Sequence, residues 1–259
     1  MPNYYPVMLD IRGRLAIVVG GDRIAAEKAA GLSASGAKVR VISSEFCGEL
    51  LRQGEHKQVT LQHTAYEPGD LAGAFVVIAA TNDPQLVQTI WNETQERGQL
   101  LNIVDVPQYC SFILPSILRR EQLTIAVSTE GASPSLAKRI RHSLEESFPA
   151  EYGLYLRLAS LARTHLRNNG VPYDRRDDFF KDYYASDVLH ILSEGNTTEA
   201  IALIAALLQD YGIDVAVSAL ETALKQEKEE EPGQGQALPV HVSPGDSIET
   251  GERGRACQQ

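Results

Sequence analysis

Residues 16–43 read AIVVGGDRIAAEKAAGLSASGAKVRVIS, and the order of events in that stretch decides the fold class. AIVVG is apolar almost throughout, as a strand buried on both faces of a sheet must be. Two glycines follow, then a helix expected from about Arg23 to Ser35, which Gly36 stops. A second apolar strand, VRVIS, comes next. Strand, glycine turn, helix and strand make the opening of a βαβ unit, the repeating element of a parallel sheet covered by helices.

The turn itself resembles a nucleotide site with one fault. In G-x-G-x-x-G/A the first glycine makes the turn, the second admits a pyrophosphate, and the third lets helix and strand pack closely. Here Gly20 takes the first place, Asp22 the second and Ala25 the third. The helix offers N–H groups and the positive end of its dipole to an anion, whereas a carboxylate beside two phosphates repels them. Aspartate tolerates unusual backbone angles better than most residues. The turn is therefore expected to survive with weakened affinity. After the second strand stand Ser43, Ser44 and Glu45, with no arginine directly following to take a 2′-phosphate, which favours NAD over NADP. Taken alone, the pattern also fits a plain tight turn of an α/β fold.

The alternation continues to about Val104: a helix near Glu45–Gln53, a strand around VTLQH, the apolar run FVVIAA, a helix from Pro84 to about Arg97 with Asp83 as its N-cap, and the run LLNIV. From Phe112 the pattern changes. The strand LTIAVS (Leu123 to Ser128) leads through TEGA into a helix that Ser133 caps and Pro134 opens. Leu136, Ile140 and Leu144 give that helix an apolar face, with Lys138, Arg139, Arg141 and His142 mostly off it. Beyond Pro149 only helical patterns remain, to about Gln226. The expected organisation is a parallel-sheet domain over 1–113, a further region over 114–149, a helical domain over 150–226, and a disordered Glu/Gly/Pro-rich tail over 227–259.

Composition narrows the classes of function. The chain has 259 residues, of which 43% are hydrophobic, enough for a substantial core. Its formal charge of −10 argues against non-specific binding of nucleic acid. The tail from Glu227 carries seven acids against three bases, so the remainder is only mildly acidic. Cys47, Cys110 and Cys257 are widely spaced and suggest neither a disulfide framework nor a zinc site. The six histidines form no H-x-x-x-H or H-E-x-x-H pair, so no bound metal is expected. No apolar run is long enough to cross a bilayer and the N-terminal stretch lacks the look of a signal peptide, so a cytoplasmic location is expected.

The segments VVGGDRIAAEKAAGLSASGAKVRVIS, IAATND and NIVDVPQYCSFILPSILRREQLTIAVSTEGASPSLAKRIR, followed by ESFP, together resemble the precorrin-2 dehydrogenase/sirohydrochlorin ferrochelatase family, the N-terminal module of siroheme synthases. The resemblance covers about residues 4–149, and its most specific part runs from Asn102 to Arg141. It implies a Rossmann domain, a dimerisation and substrate region over 114–149, and a small helical domain. The implied reaction is NAD-dependent oxidation of precorrin-2 to sirohydrochlorin, often with insertion of ferrous iron, in a homodimer. By this resemblance Asp105 is the catalytic carboxylate, and Gly20, Gly21, Asp22, Arg23, Ile24, Ser44, Glu45 and Thr81 contact NAD. On the residues alone, Asp105 follows a buried strand at the sheet edge where open α/β folds place ligands. The same residues allow it merely to cap a turn ahead of Pro107.

A polycarboxylate such as precorrin-2 needs cations and backbone donors. Residues 115–141 hold five bases and two acids, a local excess of +3 in an acidic protein. Asn102, Ser128, Thr129, Gly131, Ser133, Lys138 and Arg141 are the candidate substrate contacts. Two alternatives stay open: a chelatase that inserts Fe²⁺ or Co²⁺ without redox chemistry, and a regulatory module that binds nucleotide or tetrapyrrole without turnover.

Overall fold

The structure, a computed structural model, describes residues 4–230. Five strands form a parallel sheet: β1 (Leu15–Val19), β2 (Lys38–Ser43), β3 (Thr60–His63), β4 (Val76–Ala79) and β5 (Leu100–Ile103), in the order β3-β2-β1-β4-β5. The order reverses direction between β1 and β4, which opens a crevice at the carboxyl edge of those two strands. Helices α1 (Arg23–Ala34), α2 (Gly48–Glu55) and α3 (Pro84–Arg97) cover the sheet.

Alternation along β1 shows why the strand had to be apolar throughout. Ala16 and Val18 join Ala25, Ala26, Ala29 and Leu50 on one face, while Ile17 and Val19 join Val77, Val87 and Ile90 on the other. The alanines of α1 let that helix lie close to the sheet. Asp83 accepts from the amides of Gln85 and Leu86, and Gly98 closes α3 in the left-handed region at φ 63°.

An antiparallel hairpin follows, β6 (Ser116–Arg120) with β7 (Leu123–Val127), and then α4 (Pro134–Ser147). The sequence reading found β7 but not β6. Helices α5 (Glu151–Asn168), α6 (Tyr173–Ala185), α7 (Val188–Ser193), α8 (Thr197–Asp210) and α9 (Val217–Glu230) build a second core around Leu158, Phe179, Tyr183, Ile204 and Leu208. The buried Tyr183 hydroxyl donates to the Tyr155 carbonyl at 2.7 Å, and the two rings stack. Helix α9 runs four residues past the expected start of the tail, and the rest of that tail lies outside the described residues.

One local expectation is corrected and one is completed. Helix α2 begins at Gly48 rather than Glu45, because Cys47 N–H is held by the Gly21 carbonyl at 2.7 Å and Cys47 itself is extended. The Leu136–Ile140 face of α4 does not cover the chain's own core: these side chains are 48% and 39% exposed, and it is Ala137 that is buried.

Candidate active site

The glycine turn lies at the crevice between β1 and β4. Gly20 has φ 137°, and a Cβ there would lie 2.6 Å from the Ala80 carbonyl oxygen, so the end of β4 requires glycine. At Gly21 a Cβ would lie 1.7 Å from the Glu45 carbonyl oxygen. The loop after β2 is thus packed directly on the turn. That second constraint is invisible in the motif, since it comes from a segment more than twenty residues away.

Asp22 is the N-cap of α1. Its φ is −86°, so nothing in the backbone asks for glycine, and its carboxylate accepts from Ala25 N–H at 2.8 Å. The sequence reading set this charge against incoming phosphates. The structure gives it an amide of its own helix instead. Among the described residues the N–H groups of Asp22 and Ile24 have no acceptor, so the helix terminus still has donors to offer. Ala25 is fully buried and provides the close packing expected of the third motif position. Arg23, Ser44 and Glu45 are exposed along the rim, Ile24 is 43% exposed beside them, and Thr81 accepts from Asp83 N–H at 3.2 Å on the β4 side. Two obligatory glycines, open amides and an acid after β2 are the parts a dinucleotide site uses, and they fit one.

Asp105 stands just beyond β5, two strand spacings from Gly20, roughly 10 Å across the sheet edge. The turn from Ile103 to Val106 is closed by Val106 N–H on the Ile103 carbonyl at 3.3 Å, and Val104 N–H reaches the Ala79 carbonyl at 3.0 Å. Asp105 holds the third place of that turn at φ 61°. For a residue with a Cβ this region costs about 1 kcal/mol, least for Asn and Asp. The side chain is exposed and makes no hydrogen bond or ion pair among the described residues. It does not cap the turn ahead of Pro107.

The return segment after the turn covers the outer edge of β5. Ser111 pairs with Leu101 twice, through its own amide at 2.8 Å and through its hydroxyl, which accepts from Leu101 N–H at 2.7 Å. Asn102 donates to the Phe112 carbonyl at 3.0 Å. The structure therefore gives the Asn102 amide a partner within the chain.

The remaining predicted contacts sit on the loop before α4 and on that helix. Ser128 accepts from Glu130 N–H, Thr129 from Ser133 N–H and Ser133 from Leu136 N–H, at 3.0, 3.1 and 3.3 Å. The Ser128 and Thr129 hydroxyls keep an O–H to donate, whereas the Ser133 hydroxyl also pairs with that of Ser135 at 3.3 Å. Glu130 and Gly131 both have positive φ, which turns the chain sharply. Arg141 pairs with Glu145, as does His142 at 3.0 Å. Burial would raise the Glu145 carboxyl, but the His142 hydrogen bond and the Arg141 charge outweigh it and hold it below its ordinary value. Arg120 is committed to the Phe148 and Arg119 carbonyls. Lys138 and Arg139 have no ion-pair partner among the described residues. None of the principal packings among the described residues joins α4 or the hairpin to the parallel sheet.

A family model of NAD(P)-binding domains matches residues 7–116, and the model of the sirohaem biosynthesis protein central region matches residues 120–147. A siroheme synthase of Photorhabdus laumondii is 30% identical over 244 residues, 94% of this chain and 48% of that protein. One of Thiobacillus denitrificans is 35% identical over 208 residues, 80% of this chain and 43% of that protein. The solved structure of SirC, a precorrin-2 dehydrogenase, matches with TM-score 0.66 and 26% identity over 78% of this chain and 98% of that one. Over most of its own length the chain is therefore similar to siroheme synthases and to a precorrin-2 dehydrogenase. It spans about half the length of the curated siroheme synthases it matches. The parallel sheet, the glycine turn and Asp105 fall inside the first matched segment, and β7 and α4 inside the second.

Proposed function

We propose that this chain is an NAD-dependent dehydrogenase that oxidises precorrin-2 to sirohydrochlorin. The observation that carries the reading is the unpartnered carboxylate of Asp105, held on a left-handed turn at the edge of the sheet that also bears the glycine turn. A bound NAD supplies one thing, an acceptor for the two electrons and proton of a hydride. The chain supplies the rest. Gly20, Gly21 and the open amides at the start of α1 would hold the pyrophosphate, and Glu45 and Ser44 the ribose hydroxyls. Asp105 takes the second proton from the macrocycle as the hydride departs and passes it to water, so the products balance as sirohydrochlorin, NADH and a proton. Lys138, Arg141 and the hydroxyls of Ser128, Thr129 and Ser133 face the ring carboxylates.

A homodimer accounts for two features of the single chain. The exposed apolar residues Leu136 and Ile140 on α4, with Leu114 and Ile117 nearby in sequence, offer a face for a second copy. Such pairing would also bring a basic α4 to a crevice that lacks one. The same free carboxylate suits a further step, since two pyrrole protons must leave when ferrous iron enters the ring as substrate. These reactions belong in the cytoplasm.

Anaerobic incubation with precorrin-2 and NAD tests the reading, with NADH followed before and after addition of ferrous iron. NADH formation supports the dehydrogenase, and a further spectral change on adding iron supports chelation. Metallation of supplied sirohydrochlorin with no NADH formed from precorrin-2 would replace it with a chelatase. Binding of both ligands with no turnover would replace it with a regulatory module.

A further inference from the structure

The sulfur of Cys110 occupies the last rung on the outer edge of β5, beside the turn that carries Asp105. Ile103 N–H donates to Sγ at 3.1 Å, and the thiol lies 3.3 Å from the Ile103 carbonyl and 3.4 Å from the Val106 carbonyl, either of which can accept its single proton. Asn102 Nδ2 also approaches the sulfur at 3.7 Å. Ile103 and Val106 are the first and last residues of the turn, so one side chain engages both of its ends. β5 is the edge strand of its sheet, and such an edge leaves amides and carbonyls unpaired unless something covers them. Ser111 does so at Leu101, and Cys110 does so at Ile103, where a side chain replaces a neighbouring strand.

We propose that Cys110 is a positioning residue for the reaction, its thiol clamping the Ile103–Val106 turn so that Asp105 stays in the left-handed conformation with its carboxylate free. The inference rests on the catalytic reading of Asp105. A serine-like hydroxyl would be shorter and sit farther from Val106, whereas a methyl group would leave Ile103 N–H unsatisfied at the strand edge. The thiol has its proton to give, because burial pushes its pKa up, beyond the partial opposition of the hydrogen bond with Ile103. No redox change at the sulfur is involved.

Cys110→Ala and Cys110→Ser test it in the full chain, alone and combined with Asp105→Asn. Misplacement of a reacting group by about 1 Å costs on the order of 100-fold, so Cys110→Ala should lower kcat about tenfold or more. KM for NAD and for precorrin-2 should stay within about twofold of the parent, and the serine variant should recover part of the loss. In the Asp105→Asn background the cysteine change should have no further effect, because a residue that acts only through another adds nothing once that other is gone. Hydrogen exchange at Val106 N–H should quicken in Cys110→Ala whether or not the enzyme turns over. Parent-level kcat in Cys110→Ala, or losses that simply multiply with Asp105→Asn, would overturn the inference. Unchanged exchange at Val106 would do so as well. Full activity in Asp105→Asn would instead remove the catalytic reading, and the exchange measurement tells the two failures apart.

Discussion

Replacing Asp105 separates the backbone of its turn from its chemistry. At φ 61° a residue with an ordinary Cβ pays about 1–2 kcal/mol, whereas Asn and Asp pay less and Gly pays nothing for the angle. Glycine, however, gives back roughly 0.5–1 kcal/mol in unfolded-chain entropy. The side chain makes no hydrogen bond or ion pair among the described residues whose loss would add to this. Asp105→Asn and Asp105→Gly should therefore leave stability within about 0.5 kcal/mol of the parent, while Asp105→Ala should lose about 1 kcal/mol, or 2–4 °C in a protein of this size. Activity should follow a different order. All three lack the proton acceptor, and all three should lose about 10²–10⁴-fold in NADH formation from precorrin-2. Thermal denaturation and steady-state kinetics on the same preparations are sufficient. Two results refute the reasoning: an asparagine variant within about threefold of parent activity, or an alanine variant as stable as the asparagine one, which would mean that the turn is not left-handed.

Other perturbations test other parts of the structure. Asp22→Asn keeps the cap on Ala25 and removes the charge, so NAD should bind about two- to fivefold tighter at low ionic strength, with the gain lost at high salt. Titration calorimetry showing no change would place the phosphates elsewhere. Gly21→Ala drives a methyl into the Glu45 carbonyl, so the loop after β2 must move and NAD binding, read by the same titration, should fall by an order of magnitude or more. Glu93 is buried at the opposite edge of the sheet, where it accepts from Tyr66 at 2.5 Å and from the amides of Gly69 and Leu71 at 2.9 and 3.3 Å. Burial alone would raise its pKa, but the Tyr66 hydrogen bond, these amides and Arg97 hold it below the ordinary glutamate value. A depressed carboxylate stabilises the fold above its unfolded pKa and loses that contribution as pH falls through the folded value. Glu93→Gln should cost about 1.5–3 kcal/mol near neutral pH and flatten the acid limb of the stability curve, with kcat per folded molecule unchanged. A parallel loss of kcat would count against assigning Glu93 to structure alone.

The parallel sheet was legible because its strands are apolar on both faces and its helices carry their own punctuation: Asp83 with Pro84 at the start of α3, Ser133 with Pro134 at the start of α4. β6 was missed since SILRR is short, charged at its end and buried chiefly at Leu118. In the candidate site, Gly20 could be read from the motif, but the demands on Gly21 and on the edge of β5 come from residues brought close only by folding. The apolar stripe of α4 was read correctly as a stripe, and its exposure could not be foreseen, because periodicity gives a face without naming what covers it.

The two aspartates that organised the sequence reading differ in one local respect, and it can be read from their neighbours. An aspartate side chain can capture an unpaired backbone amide two or three residues ahead. Asp22 finds Ala25 N–H and Asp83 finds Gln85 N–H, at 2.8 and 2.9 Å, and both become caps. Asp105 has Pro107 two residues on, and proline has no N–H to give. The sequence Asp-Val-Pro thus withholds the nearer of the two amides within the side chain's reach, and the charge remains available for chemistry. Pro107→Ala restores that amide while leaving Asp105 in place. It should let the side chain fold back on its own turn and lower kcat about tenfold, with Tm unchanged or slightly raised by the new hydrogen bond. A further Asp105→Asn substitution should then cost less than it does in the parent, as the carboxylate is already partly spent. A Pro107→Ala enzyme with parental kcat would show that the missing amide has no part in keeping Asp105 free.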